Sequence, residues 1–144
     1  MANHLAKFIP DLRFAHPCSL LVSGTTGAGK SHFVKLLIEN DGIKGNIDTI
    51  YYFMPRLENL DIKPNENQNL YICEGMPTQS WVDNTFKKDS ESVNLIVVDD
   101  MWSQCIQSPV IEYLLTYGRR HLNVSMVFIA QNFYEKSPKA ITLR

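Results

Sequence analysis

The stretch that decides the fold is residues 18–40, CSLLVSGTTGAGKSHFVKLLIEN. Its first six residues, CSLLVS, are an apolar run and predict a short buried strand ending where the glycines begin. Residues 31–40, SHFVKLLIEN, space Phe33, Val34, Leu36, Leu37 and Ile38 as the buried face of a helix, with Asp41-Gly42 as its stop. Between strand and helix, Gly24, Gly29, Lys30 and Ser31 meet the pattern G-x-x-x-x-G-K-[ST]. Such a turn cradles phosphate. The N–H groups of Gly27, Ala28, Gly29 and Lys30 can turn inward only where side chains are small and unusual φ/ψ values are open. The following helix adds its positive end. Lys30 is placed to neutralise β- and γ-phosphates, and the Ser31 hydroxyl to ligate Mg²⁺. The expected nucleotide-contacting set is Gly24, Thr25, Thr26, Gly27, Ala28, Gly29, Lys30, Ser31 and His32.

Outward from this loop, strands and helices alternate. Residues 47–53 (IDTIYYF) are rich in β-branched and aromatic side chains and predict a second strand, broken by Pro55. Residues 56–69 are polar and predict an exposed loop or insertion. A short strand follows at residues 70–73 (LYIC) and a helix at 80–87. The continuous apolar run at 93–98 (VNLIVV) suits a parallel strand covered on both faces. Helical spacing runs from Pro109 to Arg120, and residues 124–130 (VSMVFIA) form a further apolar strand. The alternation predicts one α/β domain over residues 1–144, a three-layer P-loop core with a mostly parallel sheet.

Asp99 and Asp100 follow directly on the run NLIVV. Asp99 is expected to hold Mg²⁺, and Asp100 to orient or deprotonate an attacking water. Phosphoryl transfer to a small acceptor does not need that second acid, so the doublet favours hydrolysis. The acidic strand is expected beside the loop strand, with its ligands at the carboxyl end of the sheet. Gln131 follows VSMVFIA, either as an ordinary polar strand end or as a sensor of the γ-phosphate. Arg119 and Arg120 precede that strand. They either complement the end of a helix dipole or act in trans on transition-state charge.

Bulk properties narrow the partners. The 144 residues carry 14 basic and 15 acidic side chains, a net charge of −1, unlike the basic excess of a free-standing nucleic-acid binder. Three cysteines, Cys18, Cys73 and Cys105, lack metal-ligand spacing, and reduced thiols in an intracellular protein are expected. No apolar run approaches the roughly 20 residues of a membrane span, and the first residues lack the apolar core of a secretion signal. Trp81 and Trp102 are expected to pack in the core, and His16 and His121 to bind no metal.

Three segments together resemble one family. FAHPCSLLVSGTTGAGKSHFVKLLIEN (residues 14–40) is similar to the F-x-H-P…G-P-T-G-S-G-K-[ST]-x-F-V opening of packaging ATPases in the poxvirus-like group of the FtsK–HerA superfamily. NLIVVDDMW (94–102) is similar to that family's acidic strand, and residues 114–144, LLTYGRRHLNVSMVFIAQNFYEKSPKAITLR, resemble its closing run with H-x-N-[IV]-S…Q-N. Thr25-Thr26 stands where Pro-Thr is common, and Tyr117-Gly118-Arg119-Arg120-His121 departs from the Gly-Ser-His-His of some members. The resemblance implies a RecA-like ATPase acting as a ring, a hexamer or pentamer, that uses ATP and Mg²⁺ to drive double-stranded viral DNA into a capsid at its portal or vertex. It makes Gln131 the sensor and Arg119 or Arg120 the trans-acting finger. It also implies another core strand beyond Arg144, so an incomplete core is expected. Two other readings stay open: a different P-loop enzyme such as a small-molecule kinase, and a nucleotide-binding fragment without turnover. No N-K-x-D segment supports a GTPase.

Overall fold

The apolar runs form five strands in the computed structural model, which describes residues 11–131. They are β1 (Ser19–Ser23), β2 (Thr49–Met54), β3 (Asn69–Glu74), β4 (Asn94–Asp99) and β5 (Val124–Ala130). All pair in parallel, in the order β1-β5-β4-β2-β3. Alternating side chains feed two apolar clusters, one on each face of the sheet. Helix α1 (Lys30–Glu39) covers one face with Val34, Leu37 and Ile38. The other face is covered by α2 (Gln79–Thr85), α3 (Trp102–Cys105), α4 (Pro109–Tyr113), a π-helical turn (Leu114–Gly118) and α5 (Arg119–His121). The result is a three-layer α/β core with an all-parallel five-stranded sheet.

The strand order corrects one expectation. The acidic strand β4 does not lie beside the loop strand β1, because β5 stands between them. The residues explain why. All seven side chains of β5 are buried, which only a central strand covered on both faces can achieve. Ser19, Leu21 and Ser23 of β1 are exposed, a pattern an edge strand tolerates.

Two other elements depart from the sequence reading. The helix expected from Pro109 to Arg120 is interrupted by the π turn, where the Thr116 hydroxyl donates to the carbonyl of Glu112 at 2.8 Å and competes for a ladder acceptor. The single turn α3 went unpredicted because four residues are too few to show a period. Trp81 and Trp102 do pack as expected. Trp81 meets Tyr51, Phe53 and Phe86 edge-on, and Trp102 meets Phe128. The three cysteines are free thiols.

Residues 56–68 form no strand or helix, and β3 begins at Asn69, but the segment is not a loose insertion. From residue 60 to 65 the chain runs extended along α1. Leu60 and Ile62 pack into the core cluster beneath that helix. The alternate residues face its polar side: Asp61 pairs with Lys35 at 3.2 Å, the Lys63 N–H donates to Glu39 at 2.8 Å, and the Asn65 amide donates to Asp41 at 2.8 Å. Two extended residues advance about 6.6 Å and four helical residues about 6.0 Å. That near match keeps residues 61 and 63 in step with 35 and 39.

At the amino ends of the strands, Phe14 exchanges backbone hydrogen bonds with Gly42 and Lys44. The buried Ser125 hydroxyl accepts from the Cys18 N–H at 2.9 Å and meets His16 Nδ1 at 2.7 Å. Phe14 and His16 therefore brace the sheet at the end away from the loop. Among the described residues no helix is long and apolar enough to cross a membrane. Residues 132–144, which carry the end of the resemblance, lie outside the described residues.

Leu95 is fully buried in the central sheet, so Leu95→Ala should cost about 2–5 kcal/mol in urea denaturation. Asp61→Ala, which breaks an exposed ion pair, should cost under about 1 kcal/mol. Burial pushes the His16 pKa below its ordinary 6.5, and its Nε2 is buried without a partner among the described residues. Below pH 6.5 the unfolded chain therefore takes up a proton that the native state refuses, and stability falls as pH drops. Denaturation midpoints measured across this range should fall less steeply for His16→Gln than for wild type.

Candidate functional site

A cleft of about 820 Å³ opens at the carboxyl ends of the strands. Its first wall is the glycine loop. Gly27 and Gly29 hold φ of +83° and +92°, left-handed values that a Cβ would strain. These turns present Thr26, Gly27, Gly29, Lys30, Ser31 and His32 to the cleft. Gly24, Thr25 and Ala28, also expected to contact nucleotide, do not line it. The Ala28 N–H instead donates to the Thr25 carbonyl at 3.1 Å and closes the loop's own turn, so this amide is not one of the inward-facing donors. The Lys30 ammonium donates to the Gly24 and Thr25 carbonyls, at 2.6 and 3.0 Å.

The second wall is the acidic end of β4. Asp99 is half-buried and its Oδ2 accepts the Tyr52 hydroxyl at 2.7 Å. Burial raises the Asp99 pKa, as do the nearby charges of Asp100 and Glu58. The Tyr52 hydrogen bond and the Lys30 charge work the other way. Burial together with the Asp99 charge raises the Tyr52 pKa well above the ordinary tyrosine range, so the phenol stays a donor. Asp100 is exposed, takes the left-handed conformation at φ +58°, and donates its N–H to the Ile129 carbonyl at 3.0 Å. The kink ends the strand and leaves Asp100 lining the cleft. Aspartate tolerates this conformation better than most residues.

Between the two walls stands the end of β5. The Ala130 carbonyl accepts the Gly24 N–H at 3.3 Å, one residue from where Ile129 accepts Asp100. Gln131, exposed and lining the cleft, comes next. Lys30, Ser31, Asp99, Asp100 and Gln131, widely separated in sequence, are thus brought to one cavity.

Arg119 and Arg120 are not. They precede β5, and the charge of Arg119 is felt by Cys18, the residue before β1. Seven strand residues, about 20 Å, separate them from Gln131. They border a second cleft of about 630 Å³ with Tyr117 and His121, whose rings pack together.

Several residues in or behind the cleft wall escaped the sequence reading. Tyr52 touches Asp99 because β2 pairs with β4 in register, a placement visible only once the strand order is known. Pro55, Arg56, Glu58 and Leu60, from the segment after β2, complete the wall. Their position directly after an apolar run was the available signal.

The donors suit a hard cation. The Ser31 hydroxyl and the Asp99 carboxylate, one of whose oxygens is spoken for by Tyr52, are oxygen ligands of the kind Mg²⁺ prefers. Among the described residues no three histidine, cysteine or acidic side chains gather as a metal cage. A cation here would be shared with phosphate oxygens, as Mg²⁺ commonly is. No protein-family model, curated protein or solved structure matches the chain.

Tyr52→Phe leaves the half-buried Asp99 carboxylate without its phenolic donor. Stability at neutral pH should drop by about 1–3 kcal/mol, read from urea or thermal unfolding.

Proposed function

We propose that the chain is an ATP-hydrolysing motor subunit that moves double-stranded DNA into a viral capsid. The observation that carries the hydrolytic part is the gathering of Lys30, Ser31, Asp99, Asp100 and Gln131 around one cleft. The DNA-packaging part is supported by the likeness of residues 14–40, 94–102 and 114–144 to packaging ATPases.

In this reading the loop amides and the first turn of α1 bind the β- and γ-phosphates. Lys30 moves from its carbonyl partners to the phosphate oxygens. Ser31 and Asp99 would hold Mg²⁺, which when bound shields phosphate charge and favours departure of the diphosphate. Tyr52 keeps one Asp99 oxygen fixed so that the other is presented in a set direction. Asp100 accepts a proton from water as the water oxygen bonds to the terminal phosphorus. The bond from that phosphorus to the bridging oxygen breaks, and the bridging oxygen leaves with the electron pair on ADP. Gln131 hydrogen-bonds the water or the transferred phosphoryl group. Arg119 or Arg120, far from the cleft of its own chain, serves the cleft of the next subunit in a ring.

ATP hydrolysis by the purified chain should rise on adding linear double-stranded DNA, measured as phosphate release. Absence of phosphate release with and without DNA would overturn the proposal, and transfer to a small acceptor would make the protein a kinase. Lys30→Ala should abolish nucleotide binding. Asp100→Asn should bind Mg·ATP normally and lose turnover by about 10²-fold or more. Subunits carrying Arg119→Ala with Arg120→Ala should regain hydrolysis when mixed with Lys30→Ala subunits; no recovery at any ratio would remove the shared site.

A further inference from the structure

The cleft contains a cation that neither the loop nor the proposed mechanism uses. Arg56 lines it from the segment after β2. The side chain is exposed, and among the described residues it makes no ion pair within 4.0 Å and no side-chain hydrogen bond. Its surroundings make this notable. The carboxylates bordering the cleft are Glu58, Asp99 and Asp100, whereas its lysine, Lys30, is tied to Gly24 and Thr25 at the far side. An unpaired guanidinium within a cavity that also holds three carboxylates is available to an anion entering it.

The backbone fixes where Arg56 stands. β2 is hydrogen-bonded to β4, so its end lies one strand spacing, about 4.8 Å, beyond the strand that carries Asp99. β1 and its loop lie on the opposite side, beyond β5. Pro55 restricts the backbone just before Arg56, and the Glu58 N–H is anchored on the Met54 sulfur at 3.2 Å. Farther on, Leu60 and Ile62 are packed and Asp61 is paired with Lys35. Arg56 is therefore held at the start of a pinned segment, on the wall that faces the glycine loop across Asp99.

We propose that Arg56 is a specificity-determining residue that binds the terminal phosphoryl group of a nucleoside triphosphate in its own chain and so distinguishes triphosphate from diphosphate. The inference rests on the nucleotide reading above. The loop holds the β- and γ-phosphates from one side, and the guanidinium fork, whose donors match a pair of phosphate oxygens, takes the γ-phosphate from the other. A diphosphate held by the loop does not reach it. Lysine would supply the charge without the fork.

The test compares binding of Mg·AMP-PNP, a non-hydrolysable triphosphate, with Mg·ADP by calorimetry on the full chain. Wild type, Arg56→Ala, Arg56→Lys and Lys30→Ala are measured side by side. Arg56→Ala should weaken the triphosphate by about tenfold or more and leave the diphosphate within about twofold. Arg56→Lys should fall between Arg56→Ala and wild type. An unchanged triphosphate-to-diphosphate ratio in Arg56→Ala, with wild type binding both, overturns the assignment and leaves the nucleotide reading standing. Wild type binding neither nucleotide, or Lys30→Ala binding both normally, overturns the nucleotide reading and Arg56 with it. Because Arg56 is exposed, its variants should unfold at the wild-type urea midpoint, so a lost affinity reports the site.

Discussion

The arrangement depends on one strand. β5 is buried on both faces over its whole length and lies between β1 and β4. Its last two carbonyls hold the Gly24 and Asp100 amides. The start of the glycine loop and the kink after the acidic strand are thus fastened to adjacent residues of the same rigid element. Their separation is set by the sheet, and neither flexible segment has to find the other.

Burial then tunes what is fastened there. Asp99 sits half-buried at the end of an otherwise fully buried strand, where desolvation opposes its charge. The Tyr52 hydroxyl and the Lys30 charge offset part of that cost. Burial and the charges of Asp100 and Glu58 still prevail, so the Asp99 pKa stays above its ordinary value. In the proposed chemistry such a group waits for a cation, and its hydrogen-bonded oxygen limits how it can turn to meet one. Cys105 shows the same apolar surroundings with no compensation: its thiol is pushed up to about 12 and is chemically quiet.

Much of this was legible in the residues. The strand, turn and helix of residues 18–40 are readable because each has a local cause: an apolar run, left-handed glycines, and a 3.6-residue period. Asp99, Asp100 and Gln131 were legible because polar residues closing apolar strands stand at one end of a parallel sheet. Strand order was not legible, because it depends on which run is buried on both faces, a property of the whole sheet. Tyr52 follows from strand order and was hidden with it. The Ala28 amide meets the Thr25 carbonyl because a loop's donors can close its own turns as well as face a ligand. Across residues 56–69 polar residues outnumber apolar ones and so predict an exposed loop or insertion, although Leu60, Ile62 and Pro64 already alternate.

That alternation gives an irregular segment a parity. Leu60 and Ile62 point to the core while the Asp61 side chain and the Lys63 N–H meet the helix, and the two sets exchange places if the chain shifts by one residue. Length changes of two residues upstream of Leu60 can be absorbed as slack, whereas a change of one residue must be bulged out or it turns the apolar side chains to water. The segment has no ladder of backbone hydrogen bonds, yet it keeps count as a strand does, and its register sets where the wall of the cleft begins.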